Sequence, residues 1–343
     1  MDVALPMNDA NSRIEAFIFA GQHQDAELLR KILASKIDAS LHADPEKALE
    51  DYRNSLRDED GDLALHYAVD NRNVQYLWFL LASGFDARAK NKRGQTPLHV
   101  SLRKGFGAAL EILVDASSRN DEQDEDGCSP LHIASEVGCI EMIWKLLASD
   151  VDINLQNSKG RTPLYLALRH EDAAEFLIDA GCRLDHQDQD GNSPLHIAAE
   201  KKAVVIFLKL LASGANSSLQ NRKGQTPLHL ALDHRVTAEI IIDAGCINNY
   251  QDQNGNTPLH VAAKNRHFGV MAKLLALGVN GRLQNREGKT PLHLVLCQCD
   301  RGIDSRTAGL LFDDGSENDL QDHDGLRSLT ERGMERRVDD DNR

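Results

Sequence analysis

Apolar residues along this chain come in short paired bursts, and each pair is closed by a polar segment that contains a glycine. PLHIASEVG is followed after a turn by CIEMIWKLLASD, and PLHIAAEKK by VVIFLKLLASG. Each burst predicts a short apolar helix. Neither helix of a pair could bury its apolar face alone, so the pairs must stack. The closing glycines fall at 61, 94, 127, 160, 191, 224, 255, 288 and 325, spaced 33, 33, 33, 31, 33, 31, 33 and 37 apart. Just beyond them stands one phrase: TPLHV at 96, SPLHI at 129, TPLYL at 162, SPLHI at 193, TPLHL at 226, TPLHV at 257 and TPLHL at 290. The first copy is a weaker LALHY at 63, and the last, after Gly325, has decayed to LRSL. Thr or Ser is a favoured helix N-cap, and Pro suits the first helical turn, where a missing N–H costs nothing.

This pattern resembles the ankyrin repeat, with about eight full copies over residues 60–333. The resemblance implies an all-α repeat solenoid of stacked helix-turn-helix units with β-hairpin finger loops around the glycines, in a curved, L-shaped array. Residues 1–40 look like a degenerate N-terminal capping repeat, since ILASKIDA there lines up with LLASGFDA at 80–87. Residues 41–58 read as an acidic inserted segment and 59–317 as the repeat solenoid. Residues 318–333 read as a truncated C-terminal capping repeat, and 334–343 as a disordered acidic tail. The segment CQCDRGIDSRT (297–307) lengthens the last repeat and is expected to bulge from the concave side.

A longer period lies on top. Residues 123–182 recur as 187–246, so the unit is a 64-residue pair whose second member is two residues short between its helices. A tighter inter-helix turn is expected there. The fingers alternate in the same period. DEQDEDG (121–127), DHQDQDG (185–191), NYQDQNG (249–255) and NDLQDHDG (318–325) are acidic or polar; KNKRG (90–94), QNSKGR (156–161), QNRKG (220–224) and QNREGK (284–289) are basic. Two readings stay open: neighbouring fingers, roughly 10 Å apart, screen one another, or the basic ones form a ridge for an acidic partner.

Composition narrows the function. The 343 residues carry 39 Lys+Arg against 53 Asp+Glu, a net charge of −14, which argues against nucleic acid or an anionic membrane as main partner. Thirteen acids and seven bases in residues 1–60, and the same numbers in 300–343, leave the repeat region nearly neutral between acidic flanks. The start lacks a basic region and an apolar core, so no secretory signal is expected, and VVIFLKLLASGA is too short to span a bilayer. Six sparse cysteines fit reduced thiols in the cytoplasm or nucleus.

Apparent chemistry dissolves on inspection. His66, His99, His132, His196, His229, His260 and His293 hold the fourth position of the phrase, where the resemblance implies a hydrogen-bonding role between neighbouring turns; Tyr165 replaces one. The D-x-D-G loops fail as EF-hands, because position 12 is Ile133, Ile197 or Val261, and the loop that offers Glu331 starts at Leu320. His293, Cys297 and Cys299 fall one short of a four-ligand zinc set. No nucleophile stands beside a base at a meaningful spacing. Trp78 and Trp144 share one position on second helices; they either cover a groove between uneven repeats or anchor a partner on the convex side.

The expected function is therefore a non-catalytic protein–protein interaction scaffold, without cofactor or metal, monomeric on its own, that binds a protein on a preformed concave surface. An inhibitor or immunity-type protein that occludes a basic partner's active or nucleic-acid-binding site is the alternative, as is the targeting module of a larger assembly. In the family, the two residues before each finger glycine and the one after it lie at fingertips, and residues closing the first helix line the concave face. Carried onto this chain, that implies partner contacts at Lys92, Arg93, Gln95, Arg103, Lys104, Lys159, Arg161, Arg169 and His170. It also implies Arg222, Lys223, Gln225, Asp233, His234, Arg286 and Lys289, with Asp126, Asp190 and Asn192 as acidic-class counterparts.

Overall fold

A computed structural model describes residues 63–117 and 120–297, the side chains of residues 296 and 297 excepted. The segments 1–40, 41–58 and 318–333, the tail 334–343, the finger at Gly61 and the bulge beyond Cys297 lie outside the described residues.

The chain divides into two compact units, one ending at Cys182 and the other beginning at Arg183. In the first unit the phrase starts α1 (Ala64–Asp70), α3 (Pro97–Arg103), α5 (Pro130–Val137) and α7 (Pro163–Ala167). Each is followed by a second helix: α2 (Val74–Ala82), α4 (Gly107–Ala116), α6 (Ile140–Leu147) and α8 (Glu171–Asp179). First helices pack on first helices and second on second. The second unit repeats the plan with α9 (Pro194–Glu200), α10 (Val204–Ala212), α11 (Pro227–Ala231) and α12 (Arg235–Asp243). It ends with α13 (Pro258–Lys264), α14 (Phe268–Ala276) and α15 (Pro291–Cys297). Every element among the described residues is a helix, as an all-α repeat solenoid requires. None is long and apolar enough to cross a membrane.

Sequence explains the helix ends. Thr96, Ser129, Thr162, Ser193, Thr226 and Thr257 sit in extended backbone as N-caps, each with proline at the next position. The two-residue shortening is taken from the last turn of the first helix. α7 and α11 have five residues, against seven or eight in α1, α3, α5, α9 and α13. Longer repeats turn through a left-handed residue (Arg72, Gly105, Gly138, Lys202 or Arg266). Shorter ones pass directly into an extended N-cap, His170 or His234. The leucine of each phrase is the inward knob. Leu131, Leu164, Leu195, Leu228 and Leu259 are wholly buried, as are Leu77, Leu113, Ile143, Leu177, Phe207 and Ile241 from the second helices.

One glycine shows how tightly adjacent repeats are stitched. Gly127 has φ +72°, and a Cβ there would sit 2.6 Å from the Ser158 backbone nitrogen. That nitrogen donates to the Asp126 carbonyl across the gap at 2.9 Å. Gly127→Ala must therefore strain its own backbone and push the next finger away, at an expected cost of about 1–3 kcal/mol. Urea unfolding of the variant measures it; a loss below about 0.5 kcal/mol would mean that the fingers are free to part.

Candidate protein-binding surface

The phrase histidine is a two-sided tie. At His99, Nδ1 lies 3.2 Å from the Thr96 backbone N–H and 2.8 Å from the Thr96 hydroxyl. A backbone N–H can only donate, so Nδ1 is the acceptor and Nε2 carries the proton. Nε2 then donates to the Cys128 carbonyl in the next repeat at 3.0 Å. The same bond recurs from His66 to Gln95, His132 to Arg161, His196 to Gln225, His229 to Asn256 and His260 to Lys289. Each imidazole closes its own helix and holds the root of the following finger. Tyr165 makes no such cap, and the Thr162 hydroxyl beneath it is left buried without a partner. Instead the Tyr165 ring lies 5.0 Å below the Arg161 guanidinium.

The fingers are fixed by their own side chains. Asp124, Asp188 and Asp252 in the acidic class, and Asn91, Asn157, Asn221 and Asn285 in the basic class, hold one structural position. Asp188 Oδ1 accepts from the backbone N–H groups of Asp190 and Asn192 at 3.0 and 2.9 Å, and Asn221 Oδ1 does the same for Lys223 and Gln225. The alternation between acid and amide has a use, because only the amide can also donate. Asn221 Nδ2 reaches Asn192 Oδ1 at 2.9 Å, and Asn285 Nδ2 reaches Asn256 Oδ1 at 3.0 Å. A polar ladder runs beside these bonds. Lys90 Nζ donates to the Gln123 carbonyl and Gln123 Nε2 to that of Gln156. In the second unit Gln187, Gln220 and Gln251 link on through the carbonyls of Gln220, Gln251 and Gln284.

Rigid roots carry tips that stand out to solvent. Lys92, Arg93, Lys159, Arg222, Lys223 and Arg286 are exposed, as are Asp126 and Asp190. Among the described residues, the side chains of Arg93, Lys159, Arg222, Lys223 and Arg286 form no ion pair. Mutual screening does occur, but at the finger root. Arg88 and Lys90 both pair with Glu122, whose carboxyl the Arg88 hydrogen bond holds down to about 2. The residues after the glycine, Gln95, Arg161, Asn192, Gln225 and Lys289, are half-buried, and their carbonyls or side chains take part in the ties above. On the first helices Arg103 pairs with the buried Asp124 at 3.0 Å, and Lys104 with Asp70 at 3.0 Å. His170 donates to the Glu136 carbonyl, and Asp233 accepts from Asn265. Arg169 is exposed and His234 half-buried.

Models of ankyrin repeats match residues 65–157, 106–188, 142–220, 172–249 and 241–295, most of the described chain. The chain belongs to the ankyrin repeat family. Ankyrin repeats are protein-interaction modules, and the family fold is generally non-catalytic. Relatives include the chicken nuclear factor NF-kappa-B p105 subunit, 29% identical over 173 residues, 48% of this chain and 18% of that protein. The mouse B-cell lymphoma 3 protein homolog is 29% identical over 174 residues, again 48% of this chain but 39% of the relative. The chain thus spans well under half the length of these curated relatives. A crystal structure of the ankyrin repeat domain of Bcl-3 aligns over 74% of this chain and all of its own, with a TM-score of 0.51 and 24% identity, which bears on the fold alone.

Electrostatics within the ankyrin stack favour neutral imidazoles and inert thiols. Burial pushes His99 and His260 down to about 4 and lowers His132, His196 and His229 in the same direction. Burial also raises the thiols of Cys128 and Cys246, and pushes Cys182 up to about 12. No cluster of three metal-ligating side chains occurs among the described residues, and the side chain of Cys297 lies outside them. Trp78 and Trp144 are 58% and 59% exposed on α2 and α6, in the same unit, with exposed Glu111 at the equivalent place on α4. The two rings are therefore separated by a charge and form no continuous apolar strip.

The glutamine ladder left a signal in the sequence that no motif names, since Gln stands four residues before seven of the nine glycines. The cations of the inter-helix turns in the second unit left no such signal, because those residues obey no single repeated letter.

Proposed function

We propose that this ankyrin chain is a non-catalytic scaffold that binds an acidic protein surface through its basic fingertips, backed by the ends of the first helices. The observation that carries the reading is the set of exposed, unpaired cations at every second finger, Arg93, Lys159, Arg222/Lys223 and Arg286, in a chain of net charge −14. Their roots are locked by the asparagine, glutamine and histidine ties, so binding demands little ordering of the backbone. Intervening Asp126 and Asp190 tips repel basic competitors. Free Cys128, Cys139, Cys182 and Cys246 fit a reducing cytoplasmic or nuclear setting.

Proximity labelling with the wild-type chain and with Lys159→Glu/Arg222→Glu tests this reading. A protein enriched by the wild type and lost with the variant supports it. Identical partner sets from both would reject the fingertips as the contact edge.

A further inference from the structure

The inter-helix turns of the second unit carry cations that nothing in the described chain engages. In the longer repeats of the first unit the cations at these turns are spent internally, and only Arg169, in the shorter repeat, is exposed without a bond among the described residues. Arg72 donates to the Lys104 carbonyl at 2.9 Å and lies over the Phe106 ring, Lys104 pairs with Asp70, and Arg103 with Asp124. In the second unit Lys201 caps α9, and Lys202 follows it in the left-handed region at φ 60°. Two repeats on, Arg266 takes the same place at φ 57°. All three are exposed, and their side chains have no hydrogen bond or ion pair among the described residues.

The backbone makes this arrangement costly. Gly105 and Gly138 fill the left-handed place in the first unit, where a side chain is disfavoured. Arg72, the exception there, uses its guanidinium to hold the next repeat; Lys202 and Arg266 hold nothing. Nearby acids do little to neutralise them. Glu239 is paired with Arg235 at 2.8 Å. Asp233, which accepts only from the neutral Asn265 amide, keeps its charge at the turn between Lys202 and Arg266, as does the exposed Glu200 beside Lys201, so two single acids face three cations.

We propose that this turn edge is a second docking surface, separate from the fingertips, for an extended acidic peptide segment of a protein partner. Lys202 and Arg266 are two repeats apart, about 20 Å by helix-packing distances, which about six extended residues span. A short acidic segment meets only the local field within a Debye length of about 8 Å. A nucleic acid would bring a long array of charge against a chain of net −14.

A fluorescein-labelled ten-residue peptide of alternating Asp and Glu, titrated by anisotropy into the full chain at low salt, is the probe. Lys202→Gly/Arg266→Gly removes both charges and relieves both backbone strains, so its melting temperature should match or exceed the wild type. Its affinity for the peptide should fall about five- to ten-fold. Unchanged affinity in that variant overturns the proposal. A loss confined to Arg222→Glu/Arg286→Glu also overturns it, while leaving the fingertip reading in place. Single-stranded DNA that binds more tightly than the peptide, and through the same two residues, would overturn the peptide class.

Discussion

Leu131→Ala, Leu195→Ala and Leu228→Ala are each expected to cost about 2–5 kcal/mol. Each leucine is fully buried at the junction of its own helix pair with a neighbour, so truncation opens a cavity that two repeats share. Neighbouring first helices approach there with histidine ties on one side and finger bonds on the other, and collapse around the void would have to break both. Urea unfolding followed by circular dichroism measures the loss. Tryptophan fluorescence reports the first unit separately, since Trp78 and Trp144 both lie in it. Because each repeat touches only its neighbours, unfolding by blocks is expected, with the Leu131→Ala block first to go by fluorescence. A loss below about 1 kcal/mol at all three positions would contradict the stacking.

Acid should weaken the fold well before the carboxylates titrate. The imidazoles of His99, His132, His196, His229 and His260 are held below their ordinary value by burial, so the folded chain binds fewer protons than the unfolded one in that range. Stability from these groups is complete above the unfolded value of about 6.5 and is lost as pH falls toward the folded value, about 4 for His99 and His260. At pH 5 each of those two alone should have given up about 1–2 kcal/mol. The chemistry agrees with the sign, because a proton on Nδ1 destroys the acceptor that the Thr96 or Thr257 backbone N–H needs. Urea midpoints at pH 7 and pH 5 decide it. Equal midpoints would mean that the histidines are not load-sharing ties.

The fold was legible because each repeat carries its own local instructions. Thr or Ser, Pro, Leu and His specify a cap, a first turn, a core knob and a tie within four residues, and the copies confirm one another. Even the two missing residues of the shorter repeats were visible, although their effect, loss of the first helix's last turn, needed the backbone path. The binding surface was less legible. Lys159 and Arg222 follow the repeat and could be read as fingertips, whereas the half-buried Arg161 and Lys289 stand in the same sequence phrase with carbonyls committed to histidines. The pairing of Arg103 with Asp124, 21 residues away, depends on how a first helix faces the next finger, which no spacing rule states. Lys202 and Arg266 escaped because their common feature is a dihedral angle.

The most direct test of the account is the affinity of Lys159→Glu/Arg222→Glu for the partner captured by the wild type, measured with its melting temperature at two salt concentrations. The account predicts a melting temperature close to the wild type and binding weaker by about 1–3 kcal/mol, chiefly through slower association at low salt. Unchanged affinity at both salt concentrations, or a fall in affinity that simply follows a fall in melting temperature, would contradict it.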